Sequence, residues 1–270
     1  MPAPPRLFDR NLHRRRLDRA AAGFASARFL KERAAADLAE RLEAIVRDFP
    51  LAVDLGARDG AVAEALAASA AAARVGLLIE ADLSAAMLAD RAAVRVQLDE
   101  ERLPFGDATL DLVVSALSLH WVNDLPGVLA QIRRALKPDG LFMAALLGGE
   151  TLSELREVLL AAEAEMTGGA SPRISPVLDG RDGVGLLQRA GFRFPVADVD
   201  RVVARYPHPL KLMKDLRAMG ETATFAERGQ PLTPTALARA FELYSERFTD
   251  ADGRLSATFE IVTLTGWAPA

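Results

Sequence analysis

Residues 52–60 read Ala52-Val53-Asp54-Leu55-Gly56-Ala57-Arg58-Asp59-Gly60, and this stretch decides the fold. An apolar run rises to Asp54, breaks at two glycines four apart, and enters an alanine-rich segment at Ala61. The pattern is that of a buried strand, a tight turn and a helix N-terminus in succession. Glycine adopts positive φ and lets a ligand approach the backbone, and the first N–H groups of a helix lack partners. Such a turn binds the nucleoside end of a cofactor. A dinucleotide fingerprint would place glycine at position 58, where the pyrophosphate passes close to the backbone. Arg58 stands there instead and would obstruct that approach unless its side chain swings away, which disfavours NAD.

Outward from the turn, strands and helices alternate. Leu51–Leu55 is the first strand, and the apolar spacing over 17–48 predicts a helix before it, ended by Pro50. A helix over Gly60–Ala73 leads to strands at Val75–Ile79, Val94–Leu98, Leu110–Ala116 and Leu141–Leu147. The stripe Leu125, Val128, Leu129, Ile132 and Leu136 makes the helix before the last of these, stopped by Lys137-Pro138-Asp139-Gly140. This alternation predicts an α/β, Rossmann-like, doubly wound sheet of seven strands, mostly parallel. After a helix over 152–166, Val196–Tyr206 and Leu255–Trp267 alternate like strands, with helical patterns at 209–219 and 234–248 between them. They predict an antiparallel pair at one sheet edge. The expected organisation is an N-terminal helical cap over 1–50, a core over 51–206, a helical insertion or lid over 207–253, and a final core strand over 254–270.

Composition narrows the classes. The 270 residues are half apolar, contain no cysteine and carry a net charge of −4. Disulfides, thiolate catalysis and cysteine-ligated metals are excluded, and the charge gives no case for a nucleic-acid partner. No apolar run reaches the ~18–20 residues that cross a bilayer, and no signal-peptide pattern opens the chain, so a cytoplasmic location is expected. Arg6, Arg10, Arg14, Arg15, Arg16 and Arg19 concentrate positive charge near the start, against only Asp9 and Asp18. That segment reads as a solvated helix face, a basic arm for an acidic partner or membrane surface, or a presequence-like remnant. The histidines form no metal pattern, so no metal site is expected.

Ligands of doubly wound sheets lie beyond the carboxyl ends of the strands. Asp54, Asp82, Asp99 and Ser115 all fall there. An ionised carboxylate at Asp82 can accept hydrogen bonds from both hydroxyls of a ribose, and Asp99 can accept from an adenine amine. His120-Trp121 follows the fourth strand, near where a second substrate would enter; His120 is a candidate general base, or a packing residue of the pocket wall.

The motifs at 54–60, 81–88 (Ala-Asp-Leu-Ser-Ala-Ala-Met-Leu), 99–105 (Asp-Glu-Glu-Arg-Leu-Pro-Phe), 110–124 and 136–140 resemble those of class I S-adenosylmethionine-dependent methyltransferases. Ser-Leu-His-Trp-Val-Asn-Asp-Leu-Pro (118–126), Leu-Leu-Gly-Gly-Glu-Thr-Leu-Ser-Glu-Leu-Arg (146–156) and the segment 168–176 are more specific. They resemble the family of mitochondrial complex I assembly factors with a methyltransferase fold, linked to arginine hydroxylation. The malonyl-carrier-protein methyltransferases of biotin synthesis are a looser match. The resemblance implies S-adenosyl-L-methionine as cofactor, with Asp54, Gly56, Ala57 and Gly60 forming its turn. It implies Asp82 on the ribose with Leu83 beside the adenine, Asp99 at the adenine amine, and Ser115–Ala116 bordering the methionine end. It further implies a protein substrate, a subunit of a respiratory NADH:quinone oxidoreductase, to be modified or assembled. The alternatives are carboxyl methylation of a carrier-protein thioester and a non-catalytic chaperone. That family has glycine where this chain has Arg58.

Overall fold

A computed structural model describes residues 6–270 other than 170, 172, 176, 177 and 228. Strands β1 (Phe49–Leu55), β2 (Val75–Asp82), β3 (Arg95–Gln97), β4 (Leu110–Ala116), β5 (Leu136–Leu147), β6 (Arg193–Tyr206) and β7 (Leu255–Trp267) form one sheet. Its order is β3-β2-β1-β4-β5-β7-β6. The pairs joining β3 through β5 are parallel, whereas β7 pairs antiparallel with both β5 and β6. Strand order reverses at β1 and β4, which flank the Gly56 turn. A doubly wound sheet opens a crevice at that point.

Both faces of β4 are buried, as its unbroken apolar run requires. One apolar core packs α2 (Phe29–Glu43), α3 (Ala61–Ala67), α5 (Ser153–Thr167) and α8 (Pro234–Phe248) on one side of the sheet. A second packs α4 (Leu125–Ala135) and α6 (Gly183–Arg189) on the other. A small third cluster, Leu17, Ala20, Phe24, Leu83 and Met87, seats α1 (Arg10–Ala20) over the strand ends. Helix α7 (Pro209–Ala218) and α8 lie between β6 and β7, so the late strands and their helices occur in the expected order.

Local boundaries depart from the sequence reading for identifiable reasons. The single helix expected over 17–48 is instead α1, a 3-10 turn at Ala21–Ser26, and α2. Gly23 lies at the break, and the Ser26 hydroxyl donates back to its carbonyl at 2.7 Å, a local bond that competes with the helical ladder. Helix α2 ends at Glu43, so Pro50 is not its stop and sits near the start of β1. The next helix ends at Ala67 rather than Ala73; just beyond it, the Ser69 hydroxyl bonds the Leu66 carbonyl at 2.8 Å. Helix α6 gave no periodic signal because it is only seven residues long. The motif at 168–176 lies partly outside the described residues.

Candidate functional site

The turn after β1 is built as its glycines require. Gly56 and Gly60 have φ of +74° and +86°, and the N–H groups of Gly56 and Ala57 donate to the Ala81 carbonyl at 2.7 and 3.0 Å. A Cβ on Gly56 would collide with the Ser118 hydroxyl. Between the glycines, Arg58 also takes a left-handed φ, +54°, which a side chain makes costly. Its guanidinium turns inward and is 1% exposed.

The expected cofactor residues converge on this turn, and each acceptor already has a donor from within the chain. Asp82 ends β2 fully buried. Its Oδ1 accepts from the Ser84 N–H at 2.8 Å, and its Oδ2 from the Arg58 N–H at 2.9 Å and Arg58 Nη1 at 2.7 Å. Arg58 Nη2 reaches Ser118 Oγ at 3.3 Å, and that hydroxyl donates to Glu100 Oε1 at 2.8 Å. Asp99 Oδ1 accepts from Arg10 Nε and Nη2 at 3.1 and 2.7 Å, and Arg10 also pairs with buried Glu100. The buried Lys31 ammonium donates to the carbonyls of Gly56 at 2.6 Å and Ala116 at 2.7 Å. The Ser115 hydroxyl is turned away from the cleft and braces β4 on β1 through the Leu55 carbonyl at 2.7 Å. Leu83 packs in the small cluster under α1.

Asp54 is the exception. Both of its carboxylate oxygens are buried without a hydrogen-bond partner among the described residues. Burial pushes this carboxyl up from its ordinary value, against the pull of Lys31, and burial pushes the Lys31 ammonium down. Burial thus weakens both charges.

S-adenosylmethionine does not fit these residues as they pack. Its ribose hydroxyls would need the Asp82 carboxylate that Arg58 holds, and its adenine amine would share the Asp99 carboxylate with Arg10, which holds Oδ1. The carbonyls of Gly56 and Ala116, at the expected methionine end, are taken by Lys31. No methyl-transfer step follows from this arrangement.

Beside the filled cleft lies a cavity of about 420 Å³ under α2, α5 and α7. Leu30, Leu117, Leu155, Ile174, Met213 and Phe259 are among its apolar walls, and the cations Arg28, Lys31, Arg58, Arg173, Lys214 and Arg217 line it as well. Glu221 is the sole carboxylate among the described lining residues. Its Oε2 accepts from Trp121 Nε1 at 2.8 Å and lies 3.1 Å from His120 Nε2. Burial alone would raise the Glu221 carboxyl; the charge and hydrogen bond of His120, with Arg58 and Trp121, hold it below the ordinary value. The carboxylate assigns a proton to His120 Nε2, and Nδ1 has no partner among the described residues. A carboxylate that orients an imidazole in this way is the geometry of an oriented base.

The sequence reading placed the strand-end acids, the glycine turn and His120. It missed Arg10, Lys31, Glu100, Ser118 and Glu221. Arg10 and Lys31 belong to amphipathic helices far along the chain from their partners, and Glu221 follows Gly220 with no spacing signal.

A seven-stranded sheet with its last strand inserted antiparallel, and acids at the parallel strand ends, defines a class I methyltransferase fold. Residues 53–144 match the methyltransferase domain family. The crystal structure of a putative methyltransferase from Bacillus halodurans superposes with a TM-score of 0.58 at 16% identity, covering 87% of this chain and 99% of the other. The chain belongs to the family of the mitochondrial arginine-hydroxylase NDUFAF5. The Danio rerio protein of that name is 41% identical over 270 residues, covering 97% of this chain and 83% of the relative. A malonyl-[acyl-carrier protein] O-methyltransferase from Laribacter hongkongensis is 35% identical, covering 97% and 90%. Among the described residues no helix is long and apolar enough to cross a membrane.

Proposed function

We propose that this chain acts on a protein subunit of a respiratory NADH:quinone oxidoreductase during its assembly, receiving an arginine side chain in the cavity beside the cleft. The observation that supports this most is the 41% identity to an arginine-hydroxylase over 97% of the chain. The cavity offers an arginine one counter-charge. Glu221 is its one described carboxylate, and a guanidinium is the cation best matched to a carboxylate, which it can meet through two parallel hydrogen bonds. Six cationic side chains, Arg28, Lys31, Arg58, Arg173, Lys214 and Arg217, also line the cavity, so Glu221 alone offers a guanidinium an attractive charge. His120, oriented by Glu221, is the proposed proton acceptor through Nδ1. S-adenosylmethionine belongs to this reading as a ligand that enters when Arg58 leaves Asp82.

A deletion strain complemented with the intact chain tests the proposal. Assembly of the respiratory complex should be restored, and mass spectrometry of its subunits should show an arginine gaining about 16 Da on hydroxylation or about 14 Da on methylation. Restored assembly with every subunit mass unchanged would leave a scaffold rather than an enzyme. The Arg58–Asp82 pair, which closes the cleft, is what favours that second reading.

A further inference from the structure

We infer that Arg58 is an internal occupant of the ribose seat and gates the cleft against nucleoside ligands. Three kinds of acceptor line the strand ends, and three cations of the chain meet them. Arg58 takes Asp82, Arg10 takes Asp99, and Lys31 takes the carbonyls of Gly56 and Ala116. The donors a nucleoside with an amino-acid tail would bring are hydroxyls, an aromatic amine and an ammonium; each faces an acceptor group that a cation of the chain already contacts. The match recurs at three separate acceptors, with Asp54 outside it, so it does not rest on one rotamer.

Arg58 is the residue that decides the state. Its guanidinium is fully buried, and a buried charge is tolerated only with its counter-charge and hydrogen bonds in place. Asp82 supplies both, and Ser118 adds a third contact. The backbone of Arg58 holds a left-handed φ, a strain that a glycine at this position would lack. A ligand that needs Asp82 must first expel Arg58, so its apparent affinity falls by the fraction of molecules with the guanidinium out. If that fraction is about 1%, binding weakens about a hundredfold. The inference rests on the reading of S-adenosylmethionine as the ligand of this cleft.

The test is titration calorimetry of the full chain with S-adenosylhomocysteine. Arg58→Gly relaxes the backbone and removes the occupant, and Arg58→Asn, a residue that tolerates left-handed φ, serves where the glycine variant fails to fold. At least one folded variant should bind S-adenosylhomocysteine more than tenfold tighter than the native chain, and its melting temperature should rise with ligand while that of the native chain stays nearly fixed. Equal affinity in native chain and variant would overturn the gate and leave the cofactor reading standing. Folded variants that bind no better than the native chain, with neither binding, would overturn both. A separate readout uses no ligand: Asp82→Asn strips the counter-charge from a buried guanidinium, and its urea midpoint should fall well below the native one. An unchanged midpoint would show that Arg58 is not held in the seat.

Discussion

At Gly56 a single missing carbon sets the geometry of the cleft. The φ of +74° would strain any side chain, and a Cβ there would displace the Ser118 hydroxyl that links Arg58 to Glu100. Gly56→Ala is therefore expected to destabilise the fold by about 1–3 kcal/mol, read from urea unfolding. Adding Ser118→Gly removes the collision and keeps the φ penalty, so the double variant should recover part of the loss; strict additivity would show that the two positions do not interfere. His120 can be separated from its packing role in the same way. His120→Asn removes the unpartnered Nδ1 and should abolish rescue of the deletion strain while the chain stays folded by circular dichroism. Full rescue by His120→Asn would return the residue to the pocket wall.

Helix α1 closes the cleft from above and brings a titratable group with it. His13 is 1% exposed, its ring centroid is 4.9 Å from that of Trp121, and its Nδ1 has no partner among the described residues. Burial, then the positive charges of Arg58 and Arg10 with His120 and Arg16, hold its pKa well below the ordinary 6.5. The folded chain thus refuses a proton that the unfolded chain accepts. The sign follows: the contribution of His13 is fully present above pH 6.5 and is lost as pH falls below it. Asp54, whose carboxyl is pushed up by burial, works in the opposite sense over the same range, so the comparison must be a difference between two proteins. Native chain minus His13→Phe should lose stability on acidification from pH 6.5, with a slope approaching about 1.4 kcal/mol per pH unit. Parallel pH profiles would show that His13 takes a proton in the folded state.

Across the whole molecule, what the sequence made legible were the features written in short range. The Gly56 turn, the apolar run of β4 and the alternation of β6 and β7 each declare themselves within about ten residues, and the βαβ rhythm then dictates the sheet. What stayed hidden were contacts between distant segments: Arg10 meets Asp99 across 89 positions and Trp121 meets Glu221 across 100, and the periodicity of α1 does not distinguish a cleft residue from a solvated one. The same separation of scales predicts how the two ends of the chain contribute to stability. Strand β7 lies between β5 and β6, pairing with β6 along its length and with β5 over Ile261–Trp267, while Phe259, Ile261, Val262 and Leu264 fill the cores on the two sides of the sheet. Helix α1, by contrast, belongs only to the small cluster over the strand ends. Removing residues 1–20 should leave a chain that still unfolds cooperatively, with a lower melting temperature. Trp121, buried at 3% and packed on Phe8 and His13, should become accessible to acrylamide quenching. Removing residues 255–270 opens a row of unpaired backbone groups inside the sheet and strips apolar side chains from both cores, so that variant should lack a cooperative transition altogether. A cooperative melt of the C-terminal truncation, or loss of one in the N-terminal truncation, would reverse this assignment of which end holds the molecule together.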